Sequence, residues 1–232
     1  MREPSQYLGG AFNRLKRDDT MSSKTENLLA TLRLQPVVPV IIIEDAKSAV
    51  PLARALVKGG LKAIEITMRT PAALDAIKAV ADEVEGAVAG AGTVLDARQW
   101  EQAVKAGSKF IVSPGAGTAV LDAADQSDIP LLPGTATATE VMQVRDRGYR
   151  VMKFFPAEQA GGASYLGALA SPLADIQFCP TGGISLKNAR DYLSLPNVVC
   201  VGGSWVAPKD KVAAGDWDGI TKLAAEAAAL RG

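Results

Sequence analysis

A single lysine interrupts an apolar run at residues 151–156, which reads Val-Met-Lys-Phe-Phe-Pro. In an extended strand, alternation puts Lys153 on one face with Val151 and Phe155, and Met152 and Phe154 on the other. Lysine is rarely buried without a partner, and burial favours the neutral amine that attacks a carbonyl. The pattern therefore indicates a Schiff-base nucleophile. The alternatives are a strand-end lysine that reaches solvent and a buried ion pair.

A carboxylate occupies a similar position in the segment Ala-Ile-Glu-Ile-Thr at residues 63–67. Glu65 and Thr67 share one face of this predicted strand, while Ile64 and Ile66 share the other. A carboxylate beside an imine-forming lysine can transfer protons during carbinolamine formation, dehydration and carbon–carbon cleavage. Glu65 is thus the candidate acid/base, and a structural salt bridge to a buried cation is the alternative.

Two polar residues at strand ends are candidates for binding a substrate carboxylate. Arg69 lies where the strand at 63–67 joins the next helix, and a guanidinium can hold a carboxylate through two hydrogen bonds. Thr93 ends the segment Gly90-Ala91-Gly92-Thr93 and adds a hydroxyl. Each has an ordinary alternative: Arg69 as a surface charge, and Thr93 as the cap of a helix that begins near Asp96.

Two glycine pairs follow the last two predicted strands, at Gly182-Gly183 and Gly202-Gly203-Ser204. Glycine permits close approach and positive φ angles, so backbone N–H groups in such loops can surround an anion. In (β/α)₈ barrels, the loops after strands seven and eight often bind phosphate in this way. We therefore predict a phosphate site formed by Gly182, Gly183, Gly203 and Ser204.

Short apolar runs alternate with helical patterns along most of the chain. Their starts are roughly 20 to 26 residues apart, a spacing typical of consecutive βα units. This rhythm predicts an α/β protein with a single (β/α)₈ TIM barrel, an N-terminal capping helix at about Lys24–Leu34 and a last helix at Trp217–Leu230; a doubly wound open sheet is the alternative. The predicted strands are Val37–Ile43, Ala63–Thr67, Ala87–Thr93, Phe110–Pro114, Pro130–Gly134, Val151–Pro156, Ile176–Gly182 and Val198–Ser204.

Composition narrows the possible functions. The 232 residues contain 25 basic and 25 acidic side chains and no histidine, which argues against a broad basic surface for nucleic acid or membranes and against histidine-based catalysis or metal binding. Cys179 and Cys200 are expected to be buried reduced thiols rather than metal ligands. No dinucleotide fingerprint or P-loop supports NAD or ATP, so we expect no cofactor.

The first 20 residues are polar and carry no pattern of a signal peptide. We expect a disordered tail at 1–20, a single barrel domain at 21–232 and a cytoplasmic location. No apolar run is long enough to span a bilayer.

Several of these segments resemble one known family. The chain is similar to the 2-keto-3-deoxy-6-phosphogluconate (KDPG) aldolase family, which includes 4-hydroxy-2-oxoglutarate (KHG) aldolase. The resemblance runs from about Leu29 to Ala229, and Met68 departs from it, where the family usually has Leu or Phe. The segments that carry it are Pro36–Ile43, Gly60–Pro71, Gly90–Val94, Ser113–Gly115, Gly148–Gly161, Cys179–Ser185 and Val201–Trp205.

The resemblance implies a homotrimeric class I aldolase that needs no metal or cofactor. Its small-molecule substrate would be a phosphorylated 2-keto acid, split into pyruvate and glyceraldehyde 3-phosphate. Lys153 would form the imine and Glu65 would be the acid/base. Arg69 and Thr93 would bind the pyruvate carboxylate, the two glycine loops with Ser204 would bind phosphate, and the pocket would be lined by Pro114, Phe155 and Thr181.

Other functions stay open at this point. The same chemistry on KHG or on a galactonate-series epimer differs only in substrate, and sequence does not fix stereochemistry. A phosphate-binding barrel isomerase or epimerase is a different class; many of these use Asp, Glu, Cys or His as acid/base groups and carry no mid-strand lysine. A barrel that only binds a phosphorylated effector is the non-enzymatic alternative.

Overall fold

The computed structural model describes residues 21–230, so the prediction for residues 1–20 lies outside the described part of the chain. Strands and helices alternate along it. The strands are β1 (Val37–Ile41), β2 (Ala63–Thr67), β3 (Val88–Gly92), β4 (Phe110–Val112), β5 (Leu131–Leu132), β6 (Gly134–Thr135), β7 (Val151–Phe154), β8 (Gln177–Pro180) and β9 (Val201–Gly203).

The first described helix, α1, covers residues 21–32. A short 3₁₀ helix at Ala46–Ser48 precedes α2. The remaining helices are α2 (Ala49–Lys58), α3 (Ala73–Glu83), α4 (Ala97–Lys105), α5 (Thr118–Asp125), α6 (Ala138–Asp146), α7 (Gly162–Ala168), α8 (Ala189–Leu193), α9 (Lys209–Ala214) and α10 (Trp217–Ala228). Within residues 21–230, none of the helices has the length and apolar character needed to cross a membrane.

The prediction of one closed eight-stranded TIM barrel is wrong. The described strands form two parallel sheets, a six-stranded sheet in the order β5-β4-β3-β2-β1-β9 and a three-stranded sheet in the order β6-β7-β8. The predicted fifth strand is divided at Pro133, which has no N–H to donate to a ladder, so β5 and β6 belong to different sheets. At the other junction, one isolated bridge joins Phe178 of β8 to Val198, which precedes β9, and another joins Thr181, which follows β8, to Gly202 of β9.

Alternation along the strands separates two buried clusters, as the sequence predicted. Ile64, Ile66, Met152 and Phe154 belong to the larger cluster, which also contains the buried faces of the helices. The smaller cluster contains side chains of the opposite strand faces, among them Val38, Phe110, Val112, Val151 and Cys179, together with Leu28 and Leu32 of α1. Polar residues on this second face therefore point away from the helix-packed core, and these include Lys153 and Glu65.

Candidate active site

Lys153 and Glu65 meet on the inner face of the strands. The Lys153 Nζ lies 3.3 Å from the Glu65 Oε1, and the two side chains are only 3% and 4% exposed. They come from β7 and β2, which belong to different sheets. A buried ammonium and carboxylate at this distance partner each other, and the amine has a proton acceptor within reach. The structure therefore brings the two predicted catalytic residues together.

The neighbouring backbone fixes both side chains. Strand β7 lies between β6 and β8, so Lys153 is in register with Gly134 on one side and Cys179 on the other. The Lys153 N–H donates to the Pro133 carbonyl at 2.8 Å. Gly92 lies against Glu65, because a Cβ at this position would collide with the Glu65 carboxylate. Glycine at the end of β3 thus leaves the space that the carboxylate occupies.

Arg69 and Thr93 form a pair beside this centre. The Arg69 Nε donates to the Thr93 hydroxyl at 2.9 Å. Thr93 has a φ of 58°, a left-handed conformation that is uncommon for a threonine. The alternative of a helix cap at Thr93 is wrong, because Asp96 caps α4 by accepting from the Gln99 N–H. Two donors able to bind a carboxylate therefore lie together, as the sequence predicted.

The glycine loops border a cavity of about 870 Å³. Gly182 and Gly183 have φ angles of 104° and 75°, which L side chains rarely adopt, and both line this cavity. Gly203 and Ser204, at the end of β9, line it too. All four predicted phosphate-site residues therefore border one space.

The cavity also contacts Arg69, Phe155 and Thr181, but Lys153 and Glu65 do not line it. Phe155 connects the two places, because its ring centroid is 5.3 Å from the Lys153 Nζ. Thr181 directly follows β8 and forms an isolated bridge with Gly202 of β9. Its N–H donates to the Phe154 carbonyl at 2.9 Å. Phe155 therefore borders the cavity and also contacts the buried lysine.

Pro114 does not line the cavity either. Its carbonyl packs against Gly134, where a Cβ would collide with it. Since Gly134 is in register with Lys153, Pro114 lies one strand away from the lysine. Pro114 therefore contacts the backbone of the strand next to Lys153 rather than Lys153 itself.

A second carboxylate stabilises the loop after β7. The Tyr192 hydroxyl donates to the Glu158 carboxylate, and the Glu158 N–H donates to the Gly182 carbonyl at 3.1 Å. Burial, followed by the hydrogen bond and charge of Glu158, raises the pKa of the Tyr192 phenol well above its usual range, so the hydroxyl stays a donor. This contact holds the glycine loop beside the segment that carries Lys153.

Sequence reasoning missed several residues that line the cavity, including Val40, Ile42, Trp205 and Lys209. Strand alternation places Val40 and Ile42 on the face of Val38, and this signal was available. Trp205 directly follows Ser204 in the chain. Lys209 carries no motif, and only the fold shows that it lines the cavity.

A family match and a sequence relative both indicate one family. Residues 28–223 match the aldolase family described as KDPG and KHG aldolase. A 2-dehydro-3-deoxy-phosphogluconate aldolase of Pseudoalteromonas atlantica is 54% identical over 194 residues, which cover 84% of this chain and 90% of the relative.

Solved structures support the same relationship. The KDPG aldolase of Legionella pneumophila, with pyruvate captured as a covalent carbinolamine intermediate, has a TM-score of 0.84 and 42% identity, covering 86% of this chain and 97% of that one. The KDPG aldolase of Zymomonas mobilis ZM4 with 3-phosphoglycerate has a TM-score of 0.82 and 49% identity, covering 87% and 95%.

Proposed function

We propose a specific reaction for this chain, which belongs to the KDPG and KHG aldolase family: cleavage of KDPG to pyruvate and glyceraldehyde 3-phosphate through an imine on Lys153. The observation that carries the proposal is the buried contact between the Lys153 Nζ and the Glu65 carboxylate at 3.3 Å. The covalent pyruvate carbinolamine of the Legionella relative supports the same chemistry here. We include KHG as a second substrate because it offers the same 2-keto-4-hydroxy acid to the lysine.

The steps follow from the positions of the two groups. Lys153 attacks the C2 carbonyl, and the carbinolamine loses water to give an iminium ion. The C3–C4 bond then breaks: its electron pair moves toward the iminium to form an enamine, and the C4 hydroxyl proton passes to Glu65. Glyceraldehyde 3-phosphate leaves. Glu65 returns the proton to C3, and water hydrolyses the imine to release pyruvate and the free amine.

The two ends of the substrate would be bound by different groups. Arg69 and Thr93, joined at 2.9 Å, would hold the carboxylate next to the reacting C2. Phe155 and Thr181 would line the middle of the pocket, and Pro114 would support it by packing against Gly134, which is in register with Lys153. Gly182, Gly183, Gly203 and Ser204 would bind the phosphate through backbone N–H groups and the serine hydroxyl.

Ser204→Ala tests the phosphate site. We expect kcat/KM for KDPG to fall roughly tenfold to a hundredfold, because one hydrogen bond to a charged group contributes about 1.5–3 kcal/mol. KHG has no phosphate, so its kcat/KM should stay within about twofold. The measurement is steady-state pyruvate release with each substrate. An unchanged preference between the two substrates would remove the argument for a phosphate at these loops.

We extend the proposal to a cytoplasmic homotrimer. The resemblance to the KDPG and KHG aldolase family supports both the trimer and the location. Light scattering should give about three times the 24.1 kDa chain mass. A monomer mass at micromolar concentration would contradict the trimer and leave the chemistry of each chain unaffected.

A further inference from the structure

Four charged side chains line the cavity, and two of them are acidic. Arg69 follows β2, Glu44 and Asp45 follow β1, and Lys209 begins α9 beyond β9. Because β1 lies between β2 and β9, the two carboxylates separate Arg69 from Lys209. Lys209 is therefore the cation on the β9 side, where Gly203 and Ser204 also line the cavity.

The chain turns sharply between Ser204 and Lys209. The Ala207 N–H donates to the Ser204 carbonyl at 3.1 Å, and α9 begins two residues later. This turn returns Lys209 to the cavity that Ser204 borders. A lysine has a long flexible stem and three donors, so its ammonium can move within the mouth of the cavity.

Lys209 is weakly held by its ion-pair partner. Its Nζ is 3.8 Å from the Glu44 Oε1, and the two side chains are 79% and 71% exposed. Exposed ion pairs of this length contribute little to stability, so breaking this one is easy. Arg69, in contrast, already donates to Thr93 at 2.9 Å.

A phosphate at the glycine loops would carry about two negative charges close to Glu44 and Asp45. Backbone N–H groups offer hydrogen bonds but no net charge to balance that repulsion. Lys209 can supply the charge if it leaves Glu44. Glu44 and the phosphate would then compete for the same ammonium.

We propose that Lys209 is a specificity-determining residue that moves from Glu44 to the substrate phosphate, and that Glu44 opposes this binding. The inference rests on the proposed phosphorylated substrate. Removing the two partners of this one ion pair is therefore expected to change kcat/KM for KDPG in opposite directions. Removing the Lys209 amine should lower kcat/KM for the phosphorylated substrate, and removing the Glu44 carboxylate should raise it.

The test compares Lys209→Met and Glu44→Gln, using kcat/KM for KDPG and for KHG. Lys209→Met should lower the KDPG value about fivefold to tenfold, mainly through KM, as expected for a lost charge-assisted contact. Glu44→Gln should raise it about twofold to threefold. KHG values should change less in both variants, because its distal carboxylate carries one negative charge against about two on the phosphate. Lys58→Met is the matched control, because Lys58 forms a similar exposed pair with Asp218 at 3.6 Å.

Each outcome decides the inference. Opposite effects of the two variants that are larger on KDPG than on KHG support it, and the Lys209→Met defect should shrink as salt is raised. Equal losses in both variants, equal effects on both substrates or no effect would overturn it. Treatment with pyruvate and borohydride tests the proposed function separately from the role of Lys209. An adduct at Lys153 in the unchanged protein would support the imine mechanism even if Lys209 has no role. No adduct would contradict the imine mechanism.

Discussion

Lys153→Met is expected to abolish turnover and to abolish the adduct that pyruvate and borohydride form with the protein. The substitution keeps most of the side-chain length and apolar stem but removes the amine that forms the imine. Loss of a covalent nucleophile typically costs on the order of 10⁵-fold or more in rate. The measurements are pyruvate release from KDPG and peptide mass spectrometry of the reduced adduct, which should lie on Lys153 in the unchanged chain.

Folding of this variant needs a separate check. Glu65 is buried against Lys153, and removing one partner of a buried pair commonly costs about 3–5 kcal/mol. Lys153→Arg keeps a cation beside Glu65 without an amine that forms imines, so it should be inactive with a smaller loss of melting temperature. An inactive Lys153→Arg protein that melts near the unchanged chain would separate chemistry from stability.

A second buried lysine provides the matched control. The Lys24 Nζ donates to the Ala124 carbonyl at 2.9 Å, and burial lowers the pKa of its amine despite the nearby Asp125 and Asp128. Lys24 lies near Leu131 and Val151, at the starts of β5 and β7, and therefore far from the carboxyl ends of the strands. Lys24→Met should retain the adduct. An adduct on Lys24 or any lysine other than Lys153 would contradict the proposed mechanism.

Local patterns predicted the residues of the centre because strand alternation has a fixed period. If Ile64, Ile66, Met152 and Phe154 face the helices, alternation puts Glu65 and Lys153 on the other side. Strand β2 has the predicted bounds, and Ile64, Ile66, Met152 and Phe154 lie in the helix-packed core. The inner position of both charged side chains was therefore available from sequence.

The closure of the sheet was not predictable by the same reasoning. A spacing of 20 to 26 residues indicates repeated βα units, but it does not state whether neighbouring strands complete their ladders. The segment 130–134 reads Pro-Leu-Leu-Pro-Gly, and its second proline divides it into β5 and β6. Whether the sheet closes also depends on hydrogen bonding between segments distant in the chain, such as the isolated bridges Phe178–Val198 and Thr181–Gly202.

The pairing of Glu44 with Lys209 at the cavity could not be predicted from the sequence either. Glu44 and Lys209 are 165 positions apart in the numbering (209 − 44), yet their charged atoms lie 3.8 Å apart. Neither residue belongs to a motif. Their proximity depends on β1 and β9 being neighbours, with Val37 in register with Val201.

Glu65→Gln is expected to slow turnover by roughly two to four orders of magnitude, the usual effect of removing a general acid/base. The amide has nearly the same shape, so it fits the space beside Gly92 and can still contact the Lys153 amine. It cannot accept the C4 hydroxyl proton or return a proton to C3. The rate of KDPG cleavage should therefore fall much more than the affinity for pyruvate.

Exchange of the pyruvate methyl protons in D₂O isolates the role of Glu65. This exchange requires the imine on Lys153 and a group that removes a C3 proton, but it involves no phosphate and no carbon–carbon cleavage. Proton NMR should show exchange lost in Lys153→Met and slowed by roughly 10²–10⁴-fold in Glu65→Gln. Glu101→Gln, a change of an exposed carboxylate on α4, is the control and should exchange normally. Near-normal exchange in Glu65→Gln would assign the proton transfer to water or to another side chain.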